Sequence, residues 1–168
     1  MIRRSLVILL AAFLLPVAAE AQARLLLGGG LTRPTGDFSN SLESGYHGRV
    51  GLQIGVPVFP ISLRGEGEVH TLAEMPGDDN TSIINGALSA VLSLGGIGLT
   101  PYVLAGFGQY RVADSGDDAP VSNRGYHGGF GAALGALGAG AFFEIRLVNV
   151  TGLGQTTRYI PVTVGLRF

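Results

Sequence analysis

Three histidines of this chain have side chains of a type that could bind a transition metal. The triplets Tyr46-His47-Gly48 and Tyr126-His127-Gly128 repeat one pattern, and His70 is the third histidine. On a strand register all three side chains point to the same side of the sheet, near one rim. Neutral imidazoles are common zinc ligands, so a three-histidine site is one interpretation. Equivalent rim positions also explain the repeat, and we expect no metal or other cofactor.

A second set of reactive residues consists of charged side chains that share one face of the predicted strands. Such a face could carry an ion path or catalytic carboxylates. The charges are mixed in sign and interleaved with small residues, which favours ion pairs that fill a narrow interior. We interpret this set as a structural polar cluster: Arg49, Arg64, Glu66, Glu68, Glu144, Arg146 and Arg167.

Catalytic motifs are absent from the sequence. The chain has no cysteine and no Gly-x-Ser-x-Gly segment. No serine follows a histidine at short spacing on the same predicted face. Nucleophilic catalysis requires a nucleophile and a base within hydrogen-bonding distance, so we predict no catalysis and no catalytic residues.

Apart from Glu20 near the N-terminus, the remaining acidic residues lie in predicted connectors: Asp37, Glu43, Glu74, Asp78, Asp79, Asp114, Asp117 and Asp118. Carboxylates at this density could bind a divalent cation, including one that bridges lipid phosphates. Their spacing does not match an EF-hand, and acidic residues are common in solvated turns. We interpret them as loop charge.

The composition limits the classes of partner and of environment. Eleven basic and 12 acidic residues give a net charge of −1, which excludes a basic surface for nucleic acid. Charged residues make up 14% of the chain and hydrophobic residues 46%, whereas about a quarter of an ordinary soluble domain is charged. The chain is too apolar to be disordered and too poor in charge for an ordinary soluble globule.

Residues 1–23 have the organisation of a signal peptide. Arg3 and Arg4 precede the apolar run Leu6–Leu15, and small residues follow up to Ala23. The run is shorter than the ~20 residues that a spanning helix needs. We predict cleavage after Ala23, with Ala21 as the alternative, which leaves residues 24–168 as one domain.

Period-two alternation predicts strands throughout residues 24–168. Val50, Leu52 and Ile54, for example, alternate with Arg49 and Gln53. The predicted strands are Leu25–Thr32, Tyr46–Val58, Ile61–Leu72, Ile84–Leu94, Pro101–Val112, Tyr126–Ala136, Phe143–Val148 and Tyr159–Phe168.

The predicted connectors alternate between long and short, which is typical of an up-and-down membrane barrel. The long ones are Pro34–Gly45, Ala73–Thr81, Ala113–Arg124 and Thr151–Gln155. Pro161 lies inside the last strand and predicts a bulge or a gap in its pairing, because proline lacks an N–H.

The polarity of the two strand faces decides between a soluble and a membrane barrel. A soluble barrel needs a charged exterior, and no predicted strand offers one. We therefore place the apolar face toward lipid and the charges in the lumen, with Arg158 outward near a strand end. Aromatic residues are expected at strand ends as an interfacial girdle: Tyr46, Tyr102, Tyr110, Tyr126 and Phe168.

The C-terminal segment Ile160–Phe168 resembles the small bacterial outer-membrane β-barrel domain family of the OmpA/OmpX type. The resemblance implies that Phe168, behind Val162, Val164 and Leu166, is the assembly signal read by the barrel-assembly machinery. It implies an outer-membrane location with membrane lipid as a partner. It implies no particular activity.

The sequence thus predicts an all-β, eight-stranded antiparallel up-and-down transmembrane β-barrel. We expect a monomeric integral outer-membrane protein with a packed polar lumen and a structural or surface-interaction role. Eight strands leave room inside for side chains but not for an aqueous channel. The alternatives are a soluble periplasmic ligand-binding barrel, a small pore, and a metal-dependent or lipid-modifying enzyme.

Overall fold

The computed structural model describes residues 22–36, 39, 43–55, 59–73, 80–96, 98–113, 121–136, 139–152 and 155–168. Eight antiparallel strands pair in chain order and close into a barrel through β1 and β8. They are β1 (Gln22–Thr35), β2 (Gly45–Gly55), β3 (Ile61–Ala73), β4 (Asn80–Ser93), β5 (Leu99–Ala113), β6 (Val121–Ala136), β7 (Ala139–Gly152) and β8 (Gln155–Arg167). This confirms the predicted fold class.

The predicted signal peptide lies almost wholly outside the described residues, so its cleavage stays a prediction. Gln22 and Ala23 already belong to β1, where they pair with Gly55 and Ile54. Among the described residues no helix is long and apolar enough to cross a membrane.

The strand register determines the stagger of the barrel. A path of paired residues starts at Leu25 and returns to β1 at Thr35, ten residues further on; its other members are Leu52, Gly65, Leu88, Phe107, Tyr126, Asn149 and Arg158. A stagger of this size over eight strands tilts them by about 40° from the barrel axis.

The two ends of the barrel differ in their connections. The β2–β3, β4–β5 and β6–β7 connections leave one end, here called the turn end, which also carries Gln22 and Phe168. The other four connections leave the loop end. In the β4–β5 turn Gly95 and Gly98 have φ of 77° and 81°, a backbone conformation that side-chain-bearing residues rarely adopt.

The strands are longer at the loop end than the alternation predicts. Thr151–Gln155 was predicted as a long connector, but β7 continues to Gly152 and β8 starts at Gln155. Likewise β6 begins at Val121, inside the predicted connector Ala113–Arg124. Near the loop end the outward residues are polar, so the strands stay paired although the pattern of apolar outward and polar inward residues no longer holds.

Pro161 interrupts the ladder without a bulge. The β7–β8 pairs run to Ile145↔Val162 and resume at Val148↔Tyr159 in the same register. The interruption therefore leaves the inward and outward alternation of β8 intact.

The predicted aromatic girdle is wrong for two of its five members. Tyr102 and Tyr110 are buried inside the barrel, whereas Tyr46, Tyr126 and Phe168 are exposed on the outside. On β5 the exposed positions include Val103 and Phe107, so the even-numbered tyrosines point inward. Proximity to a strand end does not determine the face on which a residue lies.

Candidate functional site: the polar network inside the barrel

The barrel interior is stacked in layers, with a polar centre between two apolar layers. The apolar layer toward the loop end consists of Leu72, Ile83, Tyr110, Val148, Val150 and Tyr159. The apolar layer toward the turn end consists of Leu26, Val91, Tyr102, Leu104, Ala133 and Phe142. The largest polar cluster of the lumen therefore lies in the middle of the barrel.

Three arginines and three glutamates form the centre of the polar layer. Glu144 is its hub and is fully buried. The carboxylate accepts from Arg49 Nη1 and Arg146 Nε on Oε1, both at 2.6 Å, and from Arg64 Nη1 on Oε2 at 2.6 Å. Tyr102 adds a fourth donor through its hydroxyl at 2.8 Å. Such dense donation stabilises a carboxylate that burial would otherwise destabilise.

Arg146 joins the other two glutamates to this hub. Its Nη2 donates to Glu66 Oε2 at 2.7 Å and its Nη1 to Glu68 Oε1 at 3.2 Å. Arg49 Nη1 lies 3.4 Å from Glu66 and 3.3 Å from Glu68. Because the six charges balance, the cluster can remain ionised in a buried position.

Arg167 lies apart from the other six predicted residues. It is half-buried at the turn end, where it lines a cavity of about 350 Å³ together with Arg24 and Arg64. Among the described residues Arg167 forms no ion pair with a glutamate or aspartate. The seven-residue set is thus one six-residue network plus a separate basic end.

The histidines occupy two places rather than one. His47 and His70 pair across β2 and β3, with ring centres 5.1 Å apart. His127 lies against Ser89 and Tyr110 instead. Within the described ranges no group of three or more histidine, cysteine or acidic residues is placed to bind a metal ion.

A chain of hydrogen bonds runs through His47 and His70 and ends on the ion-pair network. Thr32 Oγ1 lies 2.9 Å from His47 Nδ1 and 2.8 Å from His70 Nδ1, and one hydroxyl can donate to only one of them. His70 Nε2 lies 3.2 Å from Glu68, which can only accept.

These contacts determine the direction of every bond in that chain for neutral imidazoles. His70 donates from Nε2 to Glu68, so its Nδ1 accepts from Thr32. Thr32 then accepts from His47 Nδ1, and His47 Nε2 accepts from Thr163 Oγ1 at 2.9 Å. Each polar atom in the chain has one defined role.

A second chain was missed by the sequence analysis. Ser89 Oγ lies 2.8 Å from His127 Nε2 and donates to Glu66 Oε1 at 3.2 Å, while Tyr110 lies 3.3 Å from His127 Nδ1. Ser89 and His127 are on β4 and β6, which both flank β5, and the two side chains meet over Gly106, which pairs with each of them and has no side chain. The inward position of each was visible in the alternation, but the contact depends on the pairing register across β5.

The serine–histidine contact differs from that of a hydrolase. Because the Ser89 hydroxyl donates its hydrogen bond to Glu66, His127 acts as a donor to Ser89 and not as its base. Both side chains are 3% exposed, so a substrate has no access to them. The arrangement satisfies buried polar groups and does not activate a nucleophile.

Arg49 has two nitrogens, Nε and Nη2, without a hydrogen-bond partner among the described residues. Its guanidinium carbon lies 5.3 Å from the centre of the Phe142 ring. A cation above an aromatic face is attracted to it, which offsets part of the cost of the unpaired groups. The polar layer thus contacts the apolar layer at the turn end through a cation–π pair.

The comparisons with known proteins show the fold. Neisserial surface protein A (NspA) matches with a TM-score of 0.73 at 11% identity, over 88% of this chain and 97% of that one. The N-terminal β-barrel domain of Pseudomonas aeruginosa OprF matches with a TM-score of 0.53 at 18% identity, over 89% and 98%. The outer membrane enzyme PagL matches with a TM-score of 0.51 at 16% identity, over 86% and 98%.

These three proteins share the closed eight-stranded architecture of outer-membrane barrels, which confirms the fold that the resemblance implied. A scan against protein-family models and a search of curated proteins found no match.

Proposed function

We propose that this protein is an integral outer-membrane β-barrel with a structural or surface-interaction role and no catalytic activity. The observation that carries this proposal is the outer face, on which exposed leucine, isoleucine, valine and phenylalanine side chains surround the barrel. Water-soluble proteins rarely expose a continuous apolar surface of this extent. A lipid environment makes the same surface favourable.

The height of the apolar band fits a membrane. Outward apolar side chains extend from Ile61 and Phe168 near the turn end to Val69 and Ile84 near the loop end. For strands that rise about 3.3 Å per residue at a tilt of about 40°, this distance is about 25 Å along the barrel axis. Transmembrane barrels have apolar bands of about this height.

The interior favours a closed barrel over the alternatives. A soluble ligand-binding barrel has an apolar cavity and a charged exterior, which is the reverse of this polarity. A pore needs a continuous aqueous path, whereas apolar layers lie on both sides of the ion-pair network. PagL indicates that the fold itself is compatible with catalysis. In this chain the contacts between hydroxyl groups and histidines are buried, and each atom has a fixed role as donor or acceptor. This supports a structural role for these histidines.

The proposal includes the route of insertion and the oligomeric state. Phe168 pairs with Leu25 through both backbone hydrogen bonds, each 2.9 Å, so the last residue takes part in barrel closure. We propose that the assembly machinery reads this terminal aromatic, and that the protein functions as a monomer surrounded by lipid.

Fractionation and electrophoresis test the proposal. The protein is expressed in a double-membraned bacterium, the membranes are washed with carbonate, and samples are run with and without boiling. We expect the chain in the washed outer-membrane fraction with a mobility that changes on boiling. Release by carbonate, or a mobility that boiling leaves unchanged, would overturn the membrane assignment.

A further inference from the structure

All four charged side chains on the outer face of the described strands are arginines. Arg33, Arg111, Arg124 and Arg158 are exposed there, on β1, β5, β6 and β8. The acidic residues of the described strands, Glu66, Glu68 and Glu144, all point inward. The outer face therefore has positive charge without negative charge on the same strands.

The four arginines lie at one height. Arg124 pairs with Gln109, two residues from Arg111, and Arg158 pairs with Thr35, two residues from Arg33. Each strand-to-strand step along the register rises toward the loop end by about 3 Å, because the stagger is shared among eight steps. When this rise is included, the heights of the four Cα atoms along the barrel axis differ by no more than about 3 Å. All four lie at the loop-side edge of the apolar band.

Of the pair Arg111 and Arg124, Arg124 lines an apolar groove on the outer face. The groove has a volume of about 640 Å³ and is lined by Gly86, Leu88, Phe107, Gln109 and Arg124 among others. A second groove of about 570 Å³ shares Leu88 and Phe107 with it and continues toward the turn end. Arg33 and Arg158 line neither groove.

The groove exists because two outward positions lack side chains. Gly65 and Gly86 lie beside the ridge formed by Leu88 and Phe107, and a Cβ added to Gly86 would meet no atom within 4 Å. The space is thus open from the side of the membrane. Its floor is the pleated backbone of β3 to β6, and its upper end carries Gln109 and Arg124.

We propose that this groove binds one molecule of a phosphorylated glycolipid, the lipid A part of lipopolysaccharide. An acyl chain lies along the groove beside Leu88 and Phe107, and a headgroup phosphate contacts Arg124, Arg111 and Gln109. Guanidinium groups on neighbouring strands present forked donors that suit phosphate oxygens. The long connections of outer-membrane barrels face the cell exterior, where this lipid forms the leaflet. The inference rests on the proposed function.

Native mass spectrometry of the folded protein in a neutral maltoside detergent tests the site. The protein is titrated with bisphosphorylated lipid A and, in a separate arm, with phosphatidylglycerol. We expect one tightly bound lipid A per barrel. The double variant R111Q/R124Q should bind it about 25-fold more weakly, since each arginine near an anionic headgroup contributes roughly a fivefold factor.

Two matched controls separate a discrete site from general attraction. The variant R33Q/R158Q loses the same charge at the same height, and it should change the affinity by less than about threefold. Gly86→Leu should weaken binding by filling the groove, whereas Gly48→Leu adds the same side chain to an open outward position on β2 and should not.

Three results would overturn the proposal. Equal losses in the two arginine double variants would show diffuse attraction, and no loss in R111Q/R124Q would show that other groups, such as loop carboxylates, neutralise these arginines. Phosphatidylglycerol binding as tightly as lipid A would replace the glycolipid by a phospholipid. The change in mobility on boiling is measured for each variant. A membrane-inserted barrel that shows this change but binds no lipid A contradicts the glycolipid site and leaves the proposed function intact.

Discussion

The inner and outer faces of this barrel are built from alternate residues of the same strands, but different interactions stabilise them. On β3 the inward residues Arg64, Glu66 and Glu68 join a network in which each charge has partners at specified atoms. The outward residues Leu63 and Val69 have only to be apolar. Specific geometry therefore stabilises the inside, whereas transfer into lipid stabilises the outside. The two faces should respond differently to substitution.

The largest effect is expected at the hub of the inner network. Glu144→Gln leaves Arg49, Arg64 and Arg146 without their shared carboxylate, so the buried cluster acquires a net positive charge. We expect the free energy of unfolding to fall by about 3–5 kcal/mol. Urea unfolding in lipid vesicles, followed by the boiling-dependent mobility shift, measures this change. A loss below 1 kcal/mol would show that the network does not stabilise the barrel.

On the outer face, the cost of a charged substitution should depend on how deep the residue lies in the bilayer. Leu88 lies near the middle of the apolar band and Ile84 near its loop-side edge, both on β4 and both exposed. Leu88→Arg should cost about 2–4 kcal/mol, and Ile84→Arg about 0–1 kcal/mol. The same unfolding assay compares them. Equal costs at the two depths would contradict a bilayer around this face.

An intermediate effect is expected from the serine that links His127 to Glu66 of the ion-pair network. Ser89→Ala removes the acceptor of His127 Nε2 and one donor to Glu66 Oε1. Leaving a buried donor unsatisfied should cost about 1–3 kcal/mol. The exposed Ser122→Ala, on the outer face of β6, is the matched control and should change stability by less than about 0.5 kcal/mol.

The smallest effect should have the opposite sign. The Tyr159 hydroxyl is buried and has no hydrogen-bond partner among the described residues. Tyr159→Phe removes an unsatisfied group and should leave stability unchanged or raise it by up to about 1 kcal/mol. Tyr102→Phe, which removes a donor to Glu144, should lower it. Chemical denaturation of the two variants side by side checks the sign.

The sequence predicts the faces of this barrel well because a strand exposes alternate residues by geometry. His47, Arg49 and Ser89 could be assigned inward from their neighbours alone. Contacts across the lumen could not be assigned in this way. Glu144 meets Arg49 and Arg64 because of the ten-residue stagger, which no local pattern encodes.

The sequence prediction failed where the alternation carries less information. Beyond the apolar band the start of β6 is polar on both faces, so the end of this strand was placed too short. On β7 the pattern reverses, because Val150 packs inside while Thr151 on the outer face is polar, and the end of β7 was placed too short as well. The girdle assignment of Tyr102 and Tyr110 relied on position along the strand and neglected parity. Both hydroxyls in fact contact the interior, at Glu144 and His127.

The central claim, that the apolar outer face lies in lipid, can be measured directly because the chain has no cysteine. Leu63, Leu88 and Val164, which point outward, are each replaced by cysteine in separate variants and labelled with a nitroxide spin label. In lipid bilayers, the relaxation of each label by oxygen is compared with its relaxation by a water-soluble nickel complex. We expect oxygen-dominated relaxation at all three positions. Relaxation dominated by the nickel complex at these positions would contradict it.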